Sequence, residues 1–438
     1  MATMSTDIQA CIDRRRRFTA AMRRGIAVIP TAPEAIRNGD AHYPYRYDSH
    51  FHYLTGFPEP EAVLVLIAGD SPQSVLFCRD KDVEREIWDG YRYGADAARE
   101  QFGFDAAFSI TQLDDKLVEL MANQPALFHP VGHDEKWDAH LLALRRRVQE
   151  KSRSGITAPG EIHDARLLLD EMRLFKDASE LAIMRRAADI SAAAHIRAMR
   201  ATRPGMMEYA IEAELLHEFR KNGAQSPAYT SIVAGGANAC VLHYIGNDKP
   251  LNDGDLLLID AACELDGYAS DITRTFPVNG RFSATQKDVY QMVLAAQTAA
   301  IAASRPGQRW NAPHEAALRV IAQGLIDLKL CSGSVDAVLE SESYKRYYMH
   351  RTGHWLGKDV HDVGAYKQDG DWRALEPGMV FTVEPGCYIR AAEDVPRELW
   401  NIGIRIEDNV LITAQGCEIL TAAAPKTVAE IEAVMQSR

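Results

Sequence analysis

The chain has 438 residues and is 47% hydrophobic, enough for two domains and a sizeable core. Its net charge of −12 argues against nucleic acid or an acidic membrane surface as the main partner. Seven cysteines, odd in number, scattered and without a CxxC, fit free thiols in a reducing compartment better than a disulfide framework.

The first residues, MATMSTDIQACIDRRRRF, hold no apolar stretch of the signal-peptide kind, and no run of 18 apolar residues occurs anywhere. A soluble, cytoplasmic protein is the expectation. The basic run at Arg14 to Arg17 reads as a solvated helix face. Next come two apolar segments, VLVLIAG and SVLFC, split by Asp70, Ser71 and Pro72, the pattern of a hairpin. LDDKLVELMAN and WDAHLLALRRRVQEK carry the period of amphipathic helices. RLLLDEMRLFKDASE leads into a long helical stretch, with Asp177 and Ser179 as capping candidates and Glu180 in an acidic first turn. We place the domain boundary near residue 175, giving domains over 1–175 and 176–438.

The second part repeats itself. Helical stretches over 177–201 and 207–222 precede the strands of LLLIDAACELDGYASDITRTF, and stretches over 285–303 and 312–329 precede MVFTVEPGCYI and GIRIEDNVLI. An RPG follows the first helix of each half, at Arg203 to Gly205 and Arg305 to Gly307. Each half enters an acidic strand through Leu-x-x-Gly: Leu251 and Gly254 lead to Asp260, and Leu375 and Gly378 lead to Glu384, at identical offsets. Two pseudo-equivalent α/β halves sharing one acidic site are expected.

Asp260 ends the apolar run LLLID, where an unpaired buried carboxylate costs several kcal/mol. It needs a cation, a cage of hydrogen bonds or a raised pKa. With a hairpin centred between Leu265 and Asp266, Asp271 falls directly opposite Asp260, on the same face. Two like charges so close repel unless a metal lies between them. Glu384 and Glu407 repeat the arrangement at the ends of VFTVE and GIRIE. The alternative for any one acid is a buried salt bridge to Arg405 or Arg274. His354 is singled out among fourteen histidines by its setting in HRTGHWLG, between glycines and near His350 and His361. Four carboxylates and one imidazole suit hard or borderline ions such as Mn²⁺, and four negative charges balance two divalent cations.

The segments IDAACELDGYASDITRTF, HRTGHWLG, HDVGAY, LEPGMVFTVEPG and GIRIED resemble the pita-bread metallopeptidases. PYRYDSHFHYLTGFPEPEAVLVL and EREIWDGYRYG are similar to the N-terminal domain of the aminopeptidase P group within them. The resemblance implies an α/β (α+β) fold, with a creatinase/prolidase-like α/β domain followed by a pita-bread domain with a pseudo-two-fold repeat. It implies two metal ions, with Asp271 and Glu407 bridging, Asp260 on one ion, and His354 and Glu384 on the other. It further implies that a metal-bridging hydroxide cleaves the N-terminal residue from peptides with proline at position two, with Glu384 as proton shuttle. His243, His361 and His350 match positions beside the substrate, and Arg405 is given a supporting role. Tyr388 is a candidate wall for the proline ring. A homo-oligomer, dimer or tetramer, is expected, with Trp88 and Tyr91 as candidate contact residues. Two rivals stand beside this reading: an Xaa-Pro dipeptidase (prolidase), and a non-catalytic pita-bread module that binds peptide.

Overall fold

The computed structural model describes residues 7–437. The chain divides into two compact units, Ser5–Arg173 and Leu174–Arg438. All seven cysteines are free thiols. Among the described residues no helix is long and apolar enough to cross a membrane.

The first unit is built on a six-stranded mixed sheet. The expected hairpin forms its centre: Val63–Ala68 and Gln73–Cys78 pair antiparallel, and Val63–Ala68 also pairs with Gly25–Pro30. Ala106–Ser109, Ala126–His129 and Glu161–Asp164 add in parallel at the two sides. Alternate residues of these strands feed two apolar layers, one around Phe51, Phe57 and Leu64 and the other around Val65, Phe77 and Leu141. The basic run corrects the solvated-face expectation. Arg16 and Arg17 are exposed, but Arg14 and Arg15 are buried. Arg15 donates to the carbonyls of Leu54, Phe102 and Gly103. Burial lowers its pKa to about 10. These guanidiniums serve as caps for main-chain carbonyls that would otherwise lack donors.

In the second unit each half opens with two helices. The first half has α1 (Ala178–Ala201) and α2 (Glu208–Lys221), and the second has α3 (Ala284–Ala303) and α4 (Ala312–Asp327). The first helix of each half starts with a capping box, Asp177 with Glu180 and Ser283 with Gln286. After each RPG the main chain makes the same contact. The Gly205 N–H donates to Leu251 O at 2.7 Å, and the Gly307 N–H donates to Leu375 O at 2.8 Å. Gly254 and Gly378 both turn with positive φ, 86° and 95°, which favours glycine.

The strands follow the same repeat. In the first half β1 (Ile232–Gly235), β2 (Leu256–Asp260) and β3 (Thr273–Pro277) form one sheet. In the second, β4 (Val380–Val383) is followed by β5 (Gly386–Ile389), β6 (Ile402–Arg405) and β7 (Asp408–Ile412), with β4 paired to β7 and β5 to β6. Asp260 pairs with Thr273, two residues beyond the Asp271 that sequence register placed opposite it. The reason is the two-residue turn Asp266–Gly267, both with positive φ, which makes Leu265 and Tyr268 partners. One continuous apolar core from Leu174 to Met435 underlies both halves.

The halves are joined by a buried ion cluster. Arg274 on β3 meets Asp408 on β7 at 2.7 Å, and both side chains are fully buried. Lys426, Thr421 and Gln297 also donate to Asp408. Burial pushes the Asp408 carboxyl up, but Arg274 and Lys426 outweigh it and hold it below the usual carboxylate range. Removing one member of a buried pair strands the other. Arg274→Met is therefore expected to lower stability by about 3 kcal/mol, read as a lower urea midpoint with an unchanged m-value.

Candidate metal centre

The four acids singled out in the sequence lie where the two strand pairs meet. Asp260 ends β2 and Asp271 precedes β3, while Glu384 follows β4 and Glu407 precedes β7. Main-chain bonds hold the pairs together: Glu407 N–H donates to Thr273 O at 3.1 Å. The Asn409 side-chain oxygen accepts from Ser270 Oγ and Asp271 N–H. His354 is delivered by a segment running beside β4. Glu384 N–H donates to Thr352 O, Thr382 N–H to His354 O, and Leu356 N–H to Val380 O. Gly353 permits that approach, because a Cβ there would lie 1.9 Å from Thr382 O.

The geometry brings all five together. The Tyr229 hydroxyl touches Asp260 Oδ1 at 2.6 Å and Asp271 Oδ1 at 2.5 Å. His354 Nε2 lies 3.4 Å from Asp271 Oδ2 and 3.7 Å from Glu384 Oε1. Its Nδ1 is within 3.0 Å of Trp355 O, which orients Nε2 toward the acids. Thr273 Oγ1 donates to Glu407 Oε2. Asp271, His354 and Glu407 each offer a ligand atom within 4.8 Å of the others.

Electrostatics mark the site. Burial is the main cause that raises the carboxyls of Asp271 and Glu407 and pushes Glu384 up to about 7. Around His354 burial opposes protonation, but Asp271 and Glu384 outweigh it and raise the imidazole to about 9. A cluster of buried acids that holds protons in this way is what a cation would relieve. The donor set, carboxylate oxygens with one imidazole, fits divalent metal ions.

The acids floor a cavity of about 660 Å³ whose lining also includes His243, His350, His361 and Arg405. Its apolar walls include Ile232, Leu242, Ile245, Trp310 and Val360. His361 stands edge-on to His354, with ring centroids 4.4 Å apart. Arg405 donates to Asp260 Oδ2 at 2.6 Å and to the Tyr388 hydroxyl at 3.0 Å. That hydroxyl reaches His350 Nε2 at 2.9 Å, and His350 Nδ1 is 2.7 Å from Arg351 O. With Arg405 donating, the Tyr388 proton goes to His350, whose burial lowers its pKa to about 3. Tyr388 thus does not wall the cavity as expected. It is buried behind the lining and couples Arg405 to His350.

Several residues escaped sequence reading. Tyr229 has no periodicity or motif to flag it. Glu208 starts α2, yet its buried carboxylate accepts from Gly235 N–H, Asn238 Nδ2, the Tyr244 hydroxyl and Lys249 N–H. It thereby pins the segment that carries His243. Asn409 and Thr273 were adjacent to named positions, and proximity in sequence was their only signal.

The raised groups give a signed pH dependence for metal-free protein. His354 stabilises the fold fully below its ordinary 6.5 and loses that contribution as pH rises through about 9. Glu384 is favoured protonated, so its ionisation weakens the fold as pH rises from 4.5 through about 7. Chelator-treated protein is therefore expected to show a higher urea midpoint at pH 6 than at pH 9, and His354→Asn to flatten the difference.

Comparison with known proteins agrees with this geometry. Residues 182–414 match the model of metallopeptidase family M24, and residues 11–128 match the aminopeptidase P N-terminal domain. The chain is 47% identical to an Xaa-Pro aminopeptidase from Haemophilus influenzae, over 97% of this chain and 96% of that protein. Among solved structures, aminopeptidase PepP from Pseudomonas aeruginosa superposes with a TM-score of 0.97 at 51% identity, covering 100% of this chain and 99% of that one. A zinc-substituted aminopeptidase P from Escherichia coli, solved with product, gives 0.96 at 44% identity, covering 100% and 99%. The chain is a peptidase of metallopeptidase family M24 and belongs to its aminopeptidase P group.

Proposed function

We propose that the chain removes the first residue from peptides whose second residue is proline, with the unit Leu174–Arg438 as the catalytic part. The observation that carries this reading is the convergence of Asp260, Asp271, His354, Glu384 and Glu407 on one cavity floor. These five would hold two divalent ions, Mn²⁺ being the best match to the donors. Such ions, when bound, activate water and compensate charge on a polarised carbonyl. The relatives named for Xaa-Pro peptides support the substrate class.

The chain's own residues supply the rest. Glu384, with a carboxyl near neutrality, moves a proton from the nucleophilic water to the proline nitrogen as the bond breaks. Proline leaves as a secondary amine and cannot depart without that proton. His243 and His361 donate to the substrate carbonyl and the oxyanion that develops from it. His350, kept neutral by burial and oriented by the Tyr388 hydroxyl, lies with its Nδ1 3.8 Å from Glu384 Oε2. Arg405 orients Asp260 and, through Tyr388, His350. An Xaa-Pro bond lacks the N–H that backbone-reading proteases use, and the apolar walls give its ring a surface instead.

The remaining parts of this reading are a cytoplasmic setting, supported by seven free thiols, and a homo-oligomer. Trp88, 83% exposed, and Tyr91, 60% exposed, form its candidate contact surface.

Metal analysis and kinetics test the proposal. Protein reconstituted with Mn²⁺ is expected to hold two ions per chain and to cleave Xaa-Pro-Yaa at least ~10-fold faster than Xaa-Pro, by kcat/KM. Less than one ion per chain, or preference for the dipeptide, would overturn it. Asp260→Asn is expected to lose metal and most activity with the fold retained. His243→Ala is expected to keep the metal content and lower kcat by ~10²-fold; normal kinetics in that variant would remove His243 from the mechanism.

A further inference from the structure

Two guanidiniums line the cavity, and they are used differently. Arg405 is buried and engaged by Asp260 and Tyr388. Arg351 is exposed, and its Cζ lies 5.0 Å from the centroid of the Trp372 ring, which lines the same cavity. A second cation addresses the same indole: Lys367 Nζ is 4.8 Å from its centroid. Lys367 and Trp372 face each other across the short hairpin formed by Lys367–Gln368 and Asp371–Trp372. Among the described residues neither cation makes an ion pair, including with Asp369 and Asp371 of that hairpin. Cation–π contact holds a guanidinium in place without neutralising it, so the rim carries a positioned, unspent positive charge.

The cavity thus holds the carboxylate cluster and, apart from the engaged Arg405, the unpaired guanidinium of Arg351 in one lining. A short peptide matches it, with the N-terminal ammonium drawn to the floor and the following residues pointing outward. The reach is short. His350 stands 3.8 Å from Glu384 Oε2, and Arg351 is the next residue. The Arg351 carbonyl is itself 2.7 Å from His350 Nδ1, and with a residue step of about 3.8 Å a guanidinium lining the same cavity is within reach of the residues that follow the scissile bond.

We infer that Arg351, steadied on Trp372 and assisted by Lys367, recognises a carboxylate on the residue that follows proline. The inference rests on the peptidase reading above and narrows its substrates to tripeptides with a free C-terminus or to peptides with an acid at the third position. Arg351 is a specificity-determining residue, acting on binding more than on the bond-breaking step.

Three substrates test it: Ala-Pro-Ala, its C-terminal amide, and Ala-Pro-Asp amide. Wild-type protein is expected to prefer Ala-Pro-Ala over its amide by about threefold, mainly through KM. In Arg351→Ala that ratio falls to about one, Arg351→Lys keeps part of it, and about 0.5 M salt compresses it in the wild type. A preference for Ala-Pro-Asp amide over Ala-Pro-Ala amide that Arg351→Ala also abolishes supports the side-chain source of the carboxylate. Equal rates on acid and amide in the wild type, or a ratio unchanged in Arg351→Ala, overturn the inference while leaving the peptidase reading intact. Hydrolysis of none of the three by metal-loaded wild type overturns both.

Discussion

Crowding four carboxylates around one imidazole in a buried floor is the constraint that organises this protein. Left alone, Asp260, Asp271, Glu384 and Glu407 would repel one another in a medium that screens charge poorly. The structure answers with donors: Tyr229 between the two aspartates, Thr273 on Glu407, Arg405 on Asp260 and His354 between Asp271 and Glu384. These supports are incomplete, and the raised carboxyls of Asp271, Glu384 and Glu407 express the remaining strain. Chemistry that needs divalent cations finds its binding energy in that residual tension.

Behind the floor, support comes from groups that never face the cavity. Arg274 and Asp408 link β3 to β7 and thereby hold Asp271 and Glu407, carried on the same two strand ends, in fixed relation. Asn409 adds a second tie between those strand ends through the main chain at Asp271. Each half supplies two acids, so neither half alone contains a site. The repeat therefore places the acidic cluster on the seam between its two halves.

Much of this was readable from residues alone because the decisive signals are local. Acids ending apolar runs, glycines at fixed offsets before them and the helix cap at Asp177 all betray their structure through short-range chemistry. The hairpin register was misread by two residues although Asp266–Gly267 carried the needed information: a two-residue turn with positive φ sets the partners, and centring one residue earlier shifts every pair. Arg14 and Arg15 were misjudged for a different reason. Charge runs are usually solvated, and only tertiary structure reveals carbonyls from distant segments waiting for donors. Tyr388 failed similarly, since a strand aromatic can turn its hydroxyl inward, and Tyr229 and Glu208 act through partners far away in sequence.

Glu208 has an implication for how such a site diversifies. One carboxylate grips the segment carrying His243 at both ends, through Gly235 and Asn238 on one side and Tyr244 and Lys249 on the other. Between those anchor points Val241 and Ile245 remain outside the core, 49% and 59% exposed, and Ile245 lines the cavity. Side-chain size there can drift without moving the imidazole, because the path of the backbone is fixed elsewhere. Lineages descending from this scaffold could reshape that cavity wall while inheriting the same placement of the imidazole, a separation of wall from anchor written into a single glutamate.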